Sequence, residues 1–123
     1  MHAIKYTLLL FLSFLMILSC DSEPKAPTTA ELIVGKWAIQ QGFRNGKRAN
    51  SLEGLFFEFK PDNQMVSNMF GSEETSTYAL NDMLLTQTGS QEIKYNINKV
   101  TAEELIITTK IQGFDFRLML KKE

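Results

Sequence analysis

With 123 residues, 44% hydrophobic and 22% charged, and a net charge of −1, the chain has room for one domain around one core. Its 13 basic and 14 acidic side chains are nearly balanced, and the lysines are scattered, so there is no electrostatic footprint for nucleic acid. One cysteine excludes an internal disulfide, and one histidine leaves little for metal or nucleophilic chemistry.

The chain begins with a short positive stretch, Met1 to Tyr6 with Lys5, followed by an almost unbroken apolar run from Thr7 to Leu18. That run is too short to cross about 30 Å of hydrocarbon, which takes roughly 20 helical residues. A short apolar run behind a positive start reads as an export signal. Ile17-Leu18-Ser19-Cys20 follows and resembles the bacterial lipobox, with an aliphatic residue three before the cysteine and a small one just before it. The resemblance implies that residues 1–19 are a lipoprotein signal peptide. Cys20 then becomes the first mature residue, carrying a thioether-linked diacylglycerol and an acylated amine. More than one acyl chain makes a stable anchor. The competing reading is an ordinary signal peptide with an incidental cysteine; the only cysteine standing where the apolar run ends argues against it. The expected location is the bacterial cell envelope, with the outer membrane favoured and the face left open. Loss of Lys5 makes the mature chain one charge more negative.

Residues 20–30 form the lipidated N-terminus and a tether. Asp21 to Thr29 holds two prolines, three charges and no apolar period, the composition of a flexible linker. Asp21 and Glu23, so near the lipid, are similar to sorting signals of some lipoproteins, and serve equally well as a solvated linker. Thr28-Thr29-Ala30-Glu31 fits a capping box, predicting a helical turn through Leu32 to Val34.

From there to the end, residues 31–123, the pattern is that of strands. Lys36 to Phe43 sets Trp37, Ile39 and Phe43 on one face, interrupted by Gln41. Leu55, Phe57 and Phe59 alternate with Glu58 and Lys60 before a turn at Pro61-Asp62-Asn63. Gln64 to Phe70, Thr75 to Leu80 and Met83 to Thr88 follow, separated by Gly71-Ser72 and Asn81-Asp82. Ile93, Tyr95 and Ile97 alternate with Lys94, Asn96 and Asn98. Leu105 to Ile111 leads to a turn at Gln112-Gly113, and Phe114, Phe116, Leu118 and Leu120 close the series. Period-two alternation with short turns predicts an antiparallel meander. Thr101 to Glu104 is expected as a capped helical turn. The fold class predicted is all-β, an eight-stranded up-and-down barrel that leaves no exposed sheet edge.

Gly35-Lys36-Trp37 at the head of the first strand resembles the Gly-x-Trp signature of lipocalins. Phe57-x-Phe59, Tyr78-x-Leu80, Tyr95-x-Ile97 and Glu104-Leu105 are similar in order and spacing to lipocalin-like domains of small bacterial lipoproteins. The similarity spans Leu32 to Leu120. It implies a barrel closed at the tryptophan end and open at the other, with room for a small ligand. Lipocalins often stack an arginine from the last strand on that tryptophan. Here Arg117 alternates onto the opposite face from Phe116 and Leu118, and the strand ends in Lys121-Lys122, so the closed end is expected to be sealed in another way.

Strand parity assigns Arg44 to Glu53, Gly71 to Glu74, Gly89 to Gln91 and Gln112-Gly113 to the open end. Candidate ligand contacts are Trp37, Phe57, Phe59, Tyr78, Tyr95 and Phe116 inside the barrel, beneath a basic loop holding Arg44, Lys47 and Arg48. A cationic lid over an apolar cup suits an amphipathic anion such as a fatty acid. Asn45-Gly46 is equally a hairpin signal whose basic neighbours only solvate a turn. An eight-stranded barrel either fills with side chains or holds one small ligand, and the aromatic residues serve either state. His2 leaves with the signal and Cys20 is consumed by lipid, while the carboxylates Glu58, Asp62, Glu73, Glu74, Glu103 and Glu104 sit at turns or outward positions. No enzyme, metal or cofactor is expected. Two functions remain: a lipid-anchored carrier of a small apolar or amphipathic molecule, or a filled barrel docking an envelope protein through outward residues among Phe56, Val66, Phe70, Met83 and Ile106.

Overall fold

The computed structural model describes residues 25–123; the expected signal peptide, Cys20 and the first part of the expected tether lie outside them. A short helix α1 (Thr29–Ile33) comes first, and its start is the expected capping box: the Glu31 N–H donates to Thr28 Oγ1 at 3.2 Å. The helix therefore takes up Thr29 and Ala30, which the sequence assigned to the tether.

The described residues then form nine strands: β1 (Gly35–Arg44), β2 (Lys47–Arg48), β3 (Phe56–Phe59), β4 (Gln64–Ser67), β5 (Glu74–Asn81), β6 (Leu84–Thr88), β7 (Glu92–Val100), β8 (Glu104–Ile111) and β9 (Phe114–Lys122). Neighbours pair antiparallel in chain order, and β1 also pairs with β9, so the sheet closes on itself. Two-residue β2 only lengthens the hairpin at the end of β1. The eight longer strands make the predicted up-and-down barrel.

One inward face per strand builds the interior. Trp37, Phe57, Phe59, Met65, Leu85, Tyr95, Leu105, Ile107, Leu118 and Leu120 are all buried there. The tryptophan end is shut by α1, with Ile33 fully buried beneath it. The Trp37 indole N–H donates to the Ile33 carbonyl at 2.8 Å. Lys122 supplies the seal that the sequence left open: its ammonium lies 4.9 Å from the Trp37 ring centroid and donates to the Leu32 carbonyl at 3.2 Å. This explains Gly35 as well. Its φ of +133° lies where side chains are strained, and a Cβ there would stand 2.5 Å from Lys122 Cε. The Gly-x-Trp spacing thus lets a lysine stem pass over the backbone to reach the ring.

Three local expectations need correction. A bulge in β1 shifts the register between Ile39 and Gln41, so Gly42 rather than Phe43 faces inward. The space at Gly42 is taken by Leu52, which swings in from a 3-10 turn (Asn50–Leu52); a Cβ on Gly42 would lie 2.6 Å from Leu52 Cδ1. Thr101 to Glu104 is a non-helical turn in which Thr101 Oγ1 accepts the N–H groups of Glu103 and Glu104. Of the outward apolar residues, Val66 and Ile106 are buried by their neighbours on the sheet, whereas Phe70 and Met83 are exposed.

Candidate functional site

The barrel interior is packed. Phe57 and Phe59 stack with ring centroids 6.0 Å apart, Tyr95 meets Phe57 edge-on at 5.7 Å, and Tyr78 meets Phe59 edge-on at 5.2 Å. Five of the six aromatic candidates, Trp37, Phe57, Phe59, Tyr78 and Tyr95, belong to this core. Phe116 alone is half-buried, at the rim.

Toward the open end the interior turns polar. The Tyr95 hydroxyl donates to Gln87 Oε1 at 2.8 Å, and Gln87 Nε2 donates to Ser76 Oγ at 3.1 Å. Among the described residues no buried side-chain nitrogen or oxygen lacks a partner, so the chain of bonds is complete. Burial pushes the Tyr95 phenol far above the ordinary tyrosine range, and burial followed by the nearby Asp62 carboxylate raises Tyr78. At the rim, Glu74 accepts the Ser90 N–H at 2.9 Å, and that bond lowers its pKa.

The wall of the barrel opens between β7 and β8. The β6–β7 ladder runs to Thr88 and Glu92, and the β8–β9 ladder to Ile111 and Phe114, but β7 and β8 stop pairing at Tyr95 and Thr109. The Thr109 hydroxyl donates to the Lys94 carbonyl at 2.7 Å, where the next rung would have placed a backbone N–H. Beyond that bond the two hairpin ends separate, leaving an open cleft of about 740 Å³. Ile93, Thr109, Ile111 and Phe116 line its inner side, and Lys94, Lys110 and Arg117 its outer side. No buried titratable pair or nucleophile stands in it; it offers apolar contact beside three cations, with the carboxylates of Glu92 and Asp115 also on its lining.

The basic segment is not a loose lid. Asn45 and Gly46 take φ values of +51° and +77°, the left-handed pair of a tight hairpin turn. Asn45 bonds to Asp115 twice, N–H to carbonyl at 2.7 Å and Oδ1 from N–H at 2.9 Å, joining the β1–β2 and β8–β9 hairpin tips. The Arg44 guanidinium lies 5.5 Å from the Phe114 ring centroid. Arg44, Lys47 and Arg48 line their own cleft with Phe114, apart from the one that Phe116 lines. Sequence reasoning placed Ile93 and Ile111 in strands without marking them as rim residues, because only the break in pairing makes them so. Among the described residues no group of three or more His, Cys, Asp or Glu stands ready for a metal ion, and no helix is long and apolar enough to cross a membrane.

No family model matches the chain, and no curated protein matches it in sequence. The fold is similar to that of a lipocalin-like protein from Bacteroides uniformis, with a TM-score of 0.55 at 12% identity, covering 74% of this chain and 98% of the other. At that identity the likeness is one of fold: the domain is a lipocalin-like barrel.

Proposed function

We propose, starting from a lipocalin-like barrel with a packed interior, that the protein is a lipid-anchored envelope protein that holds a small amphipathic molecule at the rim rather than deep inside. The carrying observation is the unpaired stretch between β7 and β8, which opens the wall there into a cleft of about 740 Å³. That volume falls within the roughly 300–1,000 Å³ usual for small-molecule sites. Ile93, Ile111 and Phe116 offer apolar contact, worth about 2.5 kcal/mol for each 100 Å² or so of ligand surface removed from water. Lys94, Lys110 and Arg117 outnumber the lining carboxylates Glu92 and Asp115 by one, which supports an anionic head group through a weak, salt-screened attraction. The apolar run after Lys5 with Cys20 at its end supports export to the envelope on a lipid anchor. With His2 in that signal and Cys20 lipidated, the reading is of a binding protein and not an enzyme.

A fluorescent fatty acid titrated against residues 25–123 tests the reading, with native mass spectrometry to detect co-purified molecules. Saturable binding is expected, weakened about tenfold by Ile111→Glu, which puts an acid in the cleft at a half-buried rim position; an unchanged melting temperature shows that the loss is one of binding. If neither protein binds and nothing co-purifies, the filled barrel leaves the other function, an envelope partner docking at the rim where Phe70 and Phe114 are exposed.

A further inference from the structure

The β1–β2 hairpin and the 3-10 turn behind it shape a second cleft, of about 480 Å³, lined by Arg44, Lys47, Arg48, Asn50, Ser51 and Phe114 among others. It shares no lining residue with the cleft between β7 and β8. Three cations line it and no carboxylate does. None of the three forms an ion pair among the described residues, although Asp115 stands close enough to bond Asn45 through its backbone in both directions.

The arrangement carries an energetic cost. Arg44 and Lys47 are paired directly across the hairpin, where like charges destabilise a sheet. The scaffold holds them there regardless: the left-handed turn at Asn45-Gly46 fixes the hairpin, the two bonds to Asp115 fix its tip, and Phe114 supports the Arg44 guanidinium. A bound anion relieves that repulsion. The type of cation narrows the anion. All three arginines of the chain, Arg44, Arg48 and Arg117, stand in the open half of the barrel, while the basic residues at the tryptophan end are lysines. Arginine presents a planar fork that meets two oxygens of one oxyanion, which a lysine ammonium does not do.

We infer that this cleft is a separate anion site, for a multivalent oxyanion of the phosphate-monoester type. It stands independently of the amphipath reading. A soluble phosphate compound and a phosphate lipid head group share the chemistry. The soluble source fits the topology better, because the N-terminal helix joins the barrel at the opposite end and the cleft points away from it.

The probe is inorganic pyrophosphate, titrated by calorimetry into the full-length protein in neutral detergent at low salt. One-to-one saturable binding is expected. Combined Arg44→Gln, Lys47→Gln and Arg48→Gln should weaken it by about tenfold or more, the loss of one or two charge-assisted hydrogen bonds. Arg48→Lys, which keeps the charge and removes the fork, should weaken it by a smaller but clear factor. Lys94→Gln, an exposed change in the other cleft on a strand that does not touch the β1–β2 hairpin, should leave it unchanged, which separates this site from the other cleft. The three cations are exposed, so melting temperatures should hold; if the triple variant melts early, Lys47→Gln alone serves, with a reduced loss. Vesicles of phosphatidylcholine doped with phosphatidic acid distinguish the source. Vesicle binding that the triple variant abolishes, without pyrophosphate binding, supports the same site with a lipid head group. Pyrophosphate affinity equal in wild type and triple variant, or binding to neither probe, overturns the inference.

Discussion

Trp37→Ala is the sharpest test of how the barrel is closed. The side chain is fully buried between α1 and the end of β9. Truncating a buried aromatic ring to alanine costs about 3–5 kcal/mol in lost transfer energy and cavity. The indole N–H that donates to the Ile33 carbonyl at 2.8 Å goes with it, and an orphaned buried acceptor adds about 1–3 kcal/mol. Lys122 loses the ring beneath its ammonium, a further half to one kcal/mol or so. These contributions overlap in space, so the expected total is about 4–6 kcal/mol. A domain of this size is stable by about 5–15 kcal/mol, so the variant sits near the edge of folding. Trp37→Phe keeps most of the apolar area and removes the donor, and should cost about 1–3 kcal/mol. Urea unfolding followed by far-ultraviolet circular dichroism measures both, since the chain has a single tryptophan and the variants lose its fluorescence. A loss under about 1 kcal/mol for Trp37→Ala, at an unchanged m-value, would refute the argument that this residue and its lysine close the barrel.

Cys20→Ala should release the protein from the membrane fraction; retention of the variant, with no acyl mass on the wild type, would refute lipid anchoring. Gly42→Ala should cost about 1–3 kcal/mol by overpacking against Leu52, and the double variant with Leu52→Ala should lose less than the sum of the singles; simple additivity would remove the contact as the cause. Stability should fall at alkaline pH. The folded state holds Tyr95 and Tyr78 neutral above the pH at which free tyrosine ionises, so their contribution is full below about pH 10 and is lost as pH rises through the raised values. Tyr95→Phe should flatten that alkaline decline in the urea midpoint and also cost about 1–3 kcal/mol by leaving Gln87 Oε1 without its donor; an unaltered decline assigns it to other groups.

The fold was legible because its signals are local. Alternation at Phe57-x-Phe59, Tyr95-x-Ile97 and Leu118-x-Leu120 put one apolar face on each strand, and the turns between them are short, so pairing in chain order followed. The capping box at Thr28 and Glu31 was read for the same reason: donor and acceptor lie within one turn. What escaped were features that depend on a partner far along the chain. Nothing near Gln40 announces a bulge, yet the bulge turns Gly42 inward and gives Leu52 its place. Lys122 reads as one of two terminal lysines until β9 is laid beside β1 and its stem passes over Gly35.

The site divides along the same line. The residue types were visible: aromatic positions at strand spacing, and Arg44, Lys47 and Arg48 in one segment. Their grouping into a single cup assumed that every strand pairs along its whole length and that the basic segment leans over the opening. Neither assumption concerns a local property. The ladder stops at Tyr95 and Thr109, where the Thr109 hydroxyl donates to the Lys94 carbonyl, and Thr108 and Thr109 are alike as strand residues in the sequence. The tip of the basic hairpin is bound to β9 at Asp115, so the β8–β9 hairpin stands between the two halves of the expected cup. Phe114 then serves the cationic cleft and Phe116 the apolar one, two residues apart on one strand. One cup expected from the sequence becomes two clefts of different lining, and the separation of the hairpin cations from the apolar wall is a property of strand pairing.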